Sequence, residues 1–316
     1  MVSALLDQCE NPFNILFWNL NVLTSVQAVW LERVARNVDL VLGVELGRDD
    51  PFEMSGFVCF PGLPRTNRSA SGADRGQCMA VWVRQKHARH CVCVKRTDYY
   101  MWLRLASPGH VVMYVCVVYL PPATSVVEWQ HGSGWLQVFA DLQTDVTAFQ
   151  ALGSVCVVGD FNARTGVADE SGAGAQQLLD AMGVPAGPAT GAAAALAARC
   201  SSDVGTPCGF GRLLINLCAS TGLAILNGRA PGDNQGAATH RSSSGAGSVS
   251  DYGLVSRCLL PCVANFKVVS EGAEVLSDHN ALVCVVDWPV HQQQPSSAGF
   301  TPVTTPSSSS CYPIKP

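Results

Sequence analysis

Charge is scarce in this sequence. Lys, Arg, Asp and Glu make up 14% of its 316 residues, against 48% hydrophobic, which excludes a disordered chain and implies a globular one with a substantial core. An excess of positive charge is missing as well. The net charge is −4 at pH 7, so the protein does not coat nucleic acid by charge alone. No uninterrupted apolar run approaches the ~18 residues that span a bilayer. The opening MVSALLDQCENPFN (1–14) has no basic n-region, and its apolar part is too short for a signal peptide. These absences point to an intracellular protein, nuclear or cytoplasmic, and not a secreted one. CxxC pairs, the mark of many structural zinc sites, are absent too. Cysteine itself is plentiful, at 14 residues. Most sit inside apolar runs such as CVCV (91–94), YVCVVYL (114–120) and LVCVV (282–286), and they read as buried, reduced thiols acting as small hydrophobes.

What is present is a succession of short apolar runs and helix-like segments. NILFWNL (14–20) reads as a strand. Thr24 or Ser25 then caps a helix whose Val26, Val29, Trp30 and Val34 share a face, and DLVLGVE (39–45) is a second strand, paired in parallel across that helical crossover. QCMAVWV (77–83), HCVCVKR (90–96), YYMWLRL (99–105) and VVMYVCVVYL (111–120) follow closely enough to suggest an antiparallel meander. GWLQVFADLQTDVTAFQAL (134–152) is a long helix with Leu136, Phe139, Ala140, Val146 and Phe149 as its apolar face. After an Ala/Gly/Pro-rich excursion at about 168–208 come the helix GRLLINLCASTG (211–222), closed by Gly222, and the strands LAILN, SVSDYGLVS and ALVCVVD. Two packed sheets with helices outside account for the pattern. One domain spans 14–288, behind a lead-in of 1–13 and ahead of a Pro/Ser/Thr-rich tail, 289–316, expected to be disordered. From Arg65 to Arg96, eight Lys or Arg residues face one acid, Asp74; this is either a solvated basic face or a phosphate-contacting surface.

The stretch SVCVVGDFNARTG (154–166) delivers an acid and an amide, Asp160 and Asn162, at the end of a strand made for the core. Asp and Asn start turns, so one such case means little. The habit recurs, however. Asn19 and Asn21 close the first strand, Glu45 the second, and Tyr119 ends VVMYVCVVY; Asp251 lies in an extended run, and Asp278 and His279 precede the last strand. In layered α/β folds ligands bind where strand ends converge, and several buried carboxylates together call for a cation. A hard divalent ion, a histidine with an acid to orient it, and amides to hold oxygens suit metal-assisted phosphodiester hydrolysis.

The ordered series WNLN, GVE, VVYLPP, GDFNARTG, SVSDYGLVS and SDHNALV resembles the endonuclease/exonuclease/phosphatase superfamily over residues 14–288. GDFNARTG and the stretch from RCSSD to AATH resemble the apurinic-type endonuclease domains of non-LTR retroelements. The resemblance implies a four-layered α/β sandwich of the DNase I-like kind, two packed mixed sheets flanked by helices, and a Mg²⁺- or Mn²⁺-dependent nuclease acting on DNA. It implies that Glu45 binds the metal with Asn19 beside it and Asp278 near. Asp160 would orient or deprotonate water, and Asn162 and Tyr119 would hold the phosphate or leaving group. His279, paired with Asp251, would contact the scissile phosphate or serve as the general base. Relatives of the apurinic branch carry Asp where this chain has Asn21, which puts abasic specificity in doubt. Other members of the superfamily act on RNA or phosphoinositides, and an inactive nucleic-acid-binding descendant is the remaining alternative.

Overall fold

A computed structural model describes residues 12–47, 52–63, 79–122, 134–168, 170, 198–242, 244–270 and 276–291. Most of the lead-in, of the tail expected to be disordered and of the Ala/Gly-rich excursion lies outside them, whereas Pro12 and Phe13, assigned to the lead-in, belong to the first strand. Alternation along the first strand sets the layers. In β1 (Pro12–Asn19), Phe13, Ile15 and Phe17 enter a core shared by two sheets, while Leu16 and Trp18 turn toward α1 (Ser25–Val34). Across the α1 crossover β1 pairs in parallel with β2 (Leu40–Val44). With β3 (Phe57–Pro61), β4 (Met79–Arg84), β13 (Val263–Val269) and β14 (Ala281–Asp287) these form a six-stranded mixed sheet in the order β13-β14-β1-β2-β4-β3.

A short α2 (Gln85–Ala88) leads into the second sheet, which repeats the plan. Its strands are β5 (Cys91–Arg96), β6 (Tyr100–Leu105), β7 (Met113–Tyr119), β8 (Ser154–Asp160), β9 (Leu223–Ile225) and β12 (Asp251–Ser256), in the order β5-β6-β7-β8-β12-β9. Here β7 and β8 are the parallel pair, joined through α3 (Gly134–Gln150). Outward side chains of this sheet, such as Trp102, Val155, Val157 and Leu254, pack on α3 and on α4 (Gly209–Thr221), which ends at Gly222 with φ 70°. Helix, sheet, sheet, helices: the sandwich has the four layers expected. A hairpin of β10 (His240–Arg241) and β11 (Gly247–Ser248) stands apart from both sheets.

Several details differ from the sequence-based expectation. The first strand of the supposed meander, β4, belongs to the opposite sheet from β5, β6 and β7, and the half-exposed edge strand β3 and the strand β13 were not anticipated. On α1, Val26 and Val29 are exposed, at 63% and 68%, whereas Gln27 and Leu31 are buried. Gln27 is drawn inward because its amide donates to Leu20 O at 2.6 Å and Leu276 O at 2.8 Å, and its Oε1 closes a capping box with Thr24. On α3 the inward face is Trp135, Phe139, Leu142 and Val146; Leu136 and Ala140 face out. The described cations of the basic stretch include structural ones. Arg84 donates to the Val38 carbonyl and lies over Phe57, Lys86 pairs with Asp39, and Lys95 with Asp145. Cys91, Cys116, Cys156, Cys218 and Cys284 are buried free thiols, and burial pushes Cys91 and Cys156 up to about 12. Among the described residues no helix is long and apolar enough to cross a membrane.

Candidate active site

Parallel strands carry their C-terminal ends to the same edge, and an antiparallel neighbour brings its N-terminal end there. That is why Asn19, Glu45, Tyr119, Asp160, Asp251 and His279 converge. Tyr119 and Asp251 stand opposite Asp160 in the strand register. Gly159 lets β8 lie this close to β7, since a Cβ there would stand 2.2 Å from Val118 O. Immediately after the strands the backbone is strained: Glu45 (φ 53°) and Asn162 (φ 46°) adopt the left-handed region, as do Asn21 and Val22. Each such residue costs of order ~1–3 kcal/mol and persists only where surroundings fix it.

Asn19 joins the two sheets. Its side-chain nitrogen donates to Glu45 Oε1 at 3.1 Å and to Asp160 Oδ2 at 2.9 Å, while its oxygen accepts from the Asn21 backbone N–H. Asp160 is fully buried and accepts from the backbone N–H of Asn162 at 2.8 Å and from its side-chain amide at 3.2 Å. The same Asn162 amide donates to Leu120 O. His279 Nδ1 lies 2.9 Å from Asp251 Oδ2, and its Nε2 lies 3.9 Å from Asp160 Oδ2. Tyr119 is buried in the inter-sheet core at the end of β7. Asp278 is half-exposed and accepts from the Asn21 amide at 3.0 Å.

Unequal burial sorts the charges. Desolvation and the Asp251 charge push the Asp160 carboxyl well above the usual range, against the opposing pull of His279 and the Asn162 N–H. Burial alone would lower His279, but the Asp251 charge and hydrogen bond, then Asp160 and Asp278, outweigh it and raise the imidazole to about 10. A group raised in the fold stabilises it fully below its unfolded pKa of about 6.5 and stops doing so as pH rises through the folded value. For His279 that window ends near 10. NMR titration of the ring in metal-free protein should therefore give a pKa near 10, and Asp251→Asn should lower it by several units. A ring titrating near its ordinary value in the unmodified protein would contradict this account.

The donor set fits a hard divalent cation. Glu45, Asp160, Asp251 and Asp278 bring four carboxylates against the imidazoles of His279 and His240, and a cation relieves the charge of desolvated acids. Asp160, Asp251 and His279 offer ligand atoms all within 4.8 Å of one another, as do His240, Asp278 and His279. Glu45 joins no such group among the described residues.

Supporting residues went unnoticed in the sequence. Ser250 Oγ donates to Asp251, Thr239 Oγ1 accepts from the N–H groups of Ser250 and Asp251, and Asn227 donates to Asp251 O. Ser277 ties His279 N to Asn19 O, and Trp18 Nε1 donates to His279 O. Only the adjacency of Ser250 to Asp251 and of Ser277 to the Asp278–His279 pair offered a signal.

No protein-family model matches the sequence, and no curated protein does. Solved structures do match. The endonuclease domain of TRAS1, a telomere-specific non-LTR retrotransposon, superposes with a TM-score of 0.55 at 14% identity, covering 87% of this chain and 98% of that one. For the AP endonuclease LMAP from Leishmania major the TM-score is 0.62 at 11% identity, with 88% and 89% covered. The 3′ phosphatase NExo from Neisseria, bound to a product DNA hairpin, gives 0.56 at 20%, with 87% and 100% covered. All share this chain's DNase I-like α/β sandwich, and at these identities the likeness is one of fold.

Proposed function

We propose that this DNase I-like chain is a divalent-metal-dependent phosphodiester hydrolase that cuts DNA, an endonuclease of retroelement type leaving a 3′-hydroxyl. The observation that carries the reading is the Asn19 amide held between Glu45 of one sheet and Asp160 of the other, which ties carboxylates of both halves into one cluster. The fold neighbours support it, since one is a retrotransposon endonuclease domain and another is bound to product DNA.

Glu45 and Asp278, with Asn19 beside them, would hold Mg²⁺ or Mn²⁺, which when bound offsets charge on the phosphate oxygens. Asp160, held by the Asn19 amide and the Asn162 N–H, is placed to orient water and take its proton. His279, held by Asp251 and raised to about 10, carries its proton at neutral pH and acts as a cationic donor to the scissile phosphate. That favours Asp160 over the His279–Asp251 pair as the base. Asn162 and Tyr119 hold the phosphate or leaving group. Nicking of supercoiled plasmid with and without Mg²⁺, run beside RNA and inositol-phosphate substrates, tests the proposal. Faster turnover of either alternative substrate would reassign it within the superfamily, and no turnover of any would leave an inactive binding module.

Asn21 supplies a neutral donor to Asp278 where the apurinic branch has an acid. Comparable nicking of intact and abasic duplexes is expected. Asn21→Asp would set two carboxylates against each other unless a cation intervenes; unit charges ~4 Å apart interact by about 1–4 kcal/mol across the relevant dielectric range. Mg²⁺ affinity should rise about tenfold by calorimetry at fixed ionic strength, while the metal-free protein melts lower. Unchanged metal affinity would remove Asn21 from the vicinity of the ion.

A further inference from the structure

Beside the hard-oxygen cluster stands a second donor set of different chemistry. His240 Nε2 lies 3.8 Å from Asp278 Oδ2, with side-chain exposures of 29% and 42%. The His240 and His279 rings are 4.8 Å apart, and the two residues form a backbone bridge. One ligand atom from each of His240, Asp278 and His279 lies within 4.8 Å of the others. Their remaining polar atoms are already engaged. His240 Nδ1 is 3.3 Å from Ser248 Oγ, His279 Nδ1 is held by Asp251, and Asp278 Oδ1 accepts from Asn21. His240 is left with Nε2 and the carboxylate with Oδ2, while His279 Nε2 faces the Asn19 amide at 3.5 Å and Asp160 Oδ2 at 3.9 Å, contacts that an ion would replace.

That is the arrangement of a metal site with its outer shell in place. Ligating histidines almost always have their other nitrogen fixed by an oxygen partner. Donors ~2.0–2.1 Å from a tetrahedral Zn²⁺ stand about 3.4 Å apart, so the 3.8 Å between His240 and Asp278 needs to close by only a few tenths. The scaffold is rigid, since Asn280 N donates to Thr239 O and Arg241 N to Asp278 O. Two imidazoles and one carboxylate are the donors of a borderline ion; Mg²⁺ prefers oxygens. Partial exposure of His240 and Asp278 gives such an ion a path in.

We propose that His240, Asp278 and His279 bind a borderline divalent ion of the Zn²⁺ class, and that its occupancy withdraws His279 Nε2 from the phosphate. The binding site stands on its own geometry; the blocking effect rests on the hydrolase reading above. An ion on Nε2 displaces the proton there, and the carboxylates around the ring favour either cation. A Zn²⁺-class ion thus acts as an inhibitor on a donor set that shares Asp278 with the proposed Mg²⁺ site.

The test begins without substrate. Untagged, reduced full-length protein is titrated with Co²⁺ and followed by its visible d–d bands, then back-titrated with Zn²⁺. One saturable nitrogen- and oxygen-ligated Co²⁺ site, displaced stoichiometrically by Zn²⁺, is expected. His240→Phe keeps a ring against His279 but offers no donor, and should weaken binding ~100-fold or more, whereas Ser248→Ala, an outer-shell change, should cost ~10–100-fold. Should the Phe variant lose its circular-dichroism signature, His240→Gln replaces it. Absence of the Co²⁺ bands, or undiminished binding in the folded variant, would overturn the site. In Mg²⁺-driven nicking, Zn²⁺ should inhibit the unmodified protein strongly and His240→Phe far less, each measured against its own Zn²⁺-free rate; equal fractional inhibition of both would overturn the blocking effect. Protein that binds Co²⁺ through His240 yet cuts nothing would keep the site and sink the hydrolase reading instead.

Discussion

His279→Ala should slow Mg²⁺-dependent plasmid nicking by ~10²–10⁴-fold, the usual contribution of a positioned acid–base group. Asp251→Asn should cost a similar amount, because the carboxylate 2.9 Å from Nδ1 both orients the ring and keeps it charged. The informative result is the double variant. Groups that act as a unit lose their function once, so the pair together should be no slower than the worse single change. A loss equal to the product of the two would show that Asp251 serves the reaction separately from His279. Circular dichroism of each variant guards against trivial unfolding, a real concern for Asp251, which also accepts from buried Ser250.

Glu45→Gln should be nearly as costly, with a different signature. The glutamine can still accept from Asn19 through its oxygen, so the link between the sheets survives while one anionic ligand is lost. Metal stabilisation of the phosphate is worth several kcal/mol, and each 1.36 kcal/mol is tenfold in rate, so nicking should fall by ~10²–10³ at ordinary Mg²⁺. Raising Mg²⁺ should restore part of the rate, because affinity and not geometry was damaged. An unchanged Mg²⁺ dependence in folded protein would remove Glu45 from the metal site.

The candidate site was legible because its residues break a pattern. Acids and amides at the ends of runs such as ILFWN and VCVVGD have no reason to be there as core, and six such interruptions in order are hard to produce by accident. The layers were legible from the succession of short apolar runs and helix-like segments. Pairing across long separations was not: nothing local in QCMAVWV sends β4 to one sheet and its successors to the other. Hydropathy misassigned α1 because Gln27, a polar residue, is buried by hydrogen bonds to carbonyls at Leu20 and Leu276 that only the folded chain supplies. His240 stayed hidden for the same reason, since its partner His279 arrives through a bridge between distant segments.

The bond from Asn19 to Asp160 crosses the seam between the sheets, and its length is set by what fills that seam. Phe17, Val44, Val117, Tyr119, Cys156 and Val158 lie in the shared layer close beneath. Reaction rates respond to misplacements of ~1 Å with losses of about 10²-fold, far more sharply than stability responds to a methyl group. The girth of this apolar filling is therefore a caliper setting for the proposed phosphate site above it. Trimming Val158 or swelling Cys156 would leave a folded sandwich whose jaws no longer meet at the working gap. Turnover, more than melting temperature, is the property that would report the change.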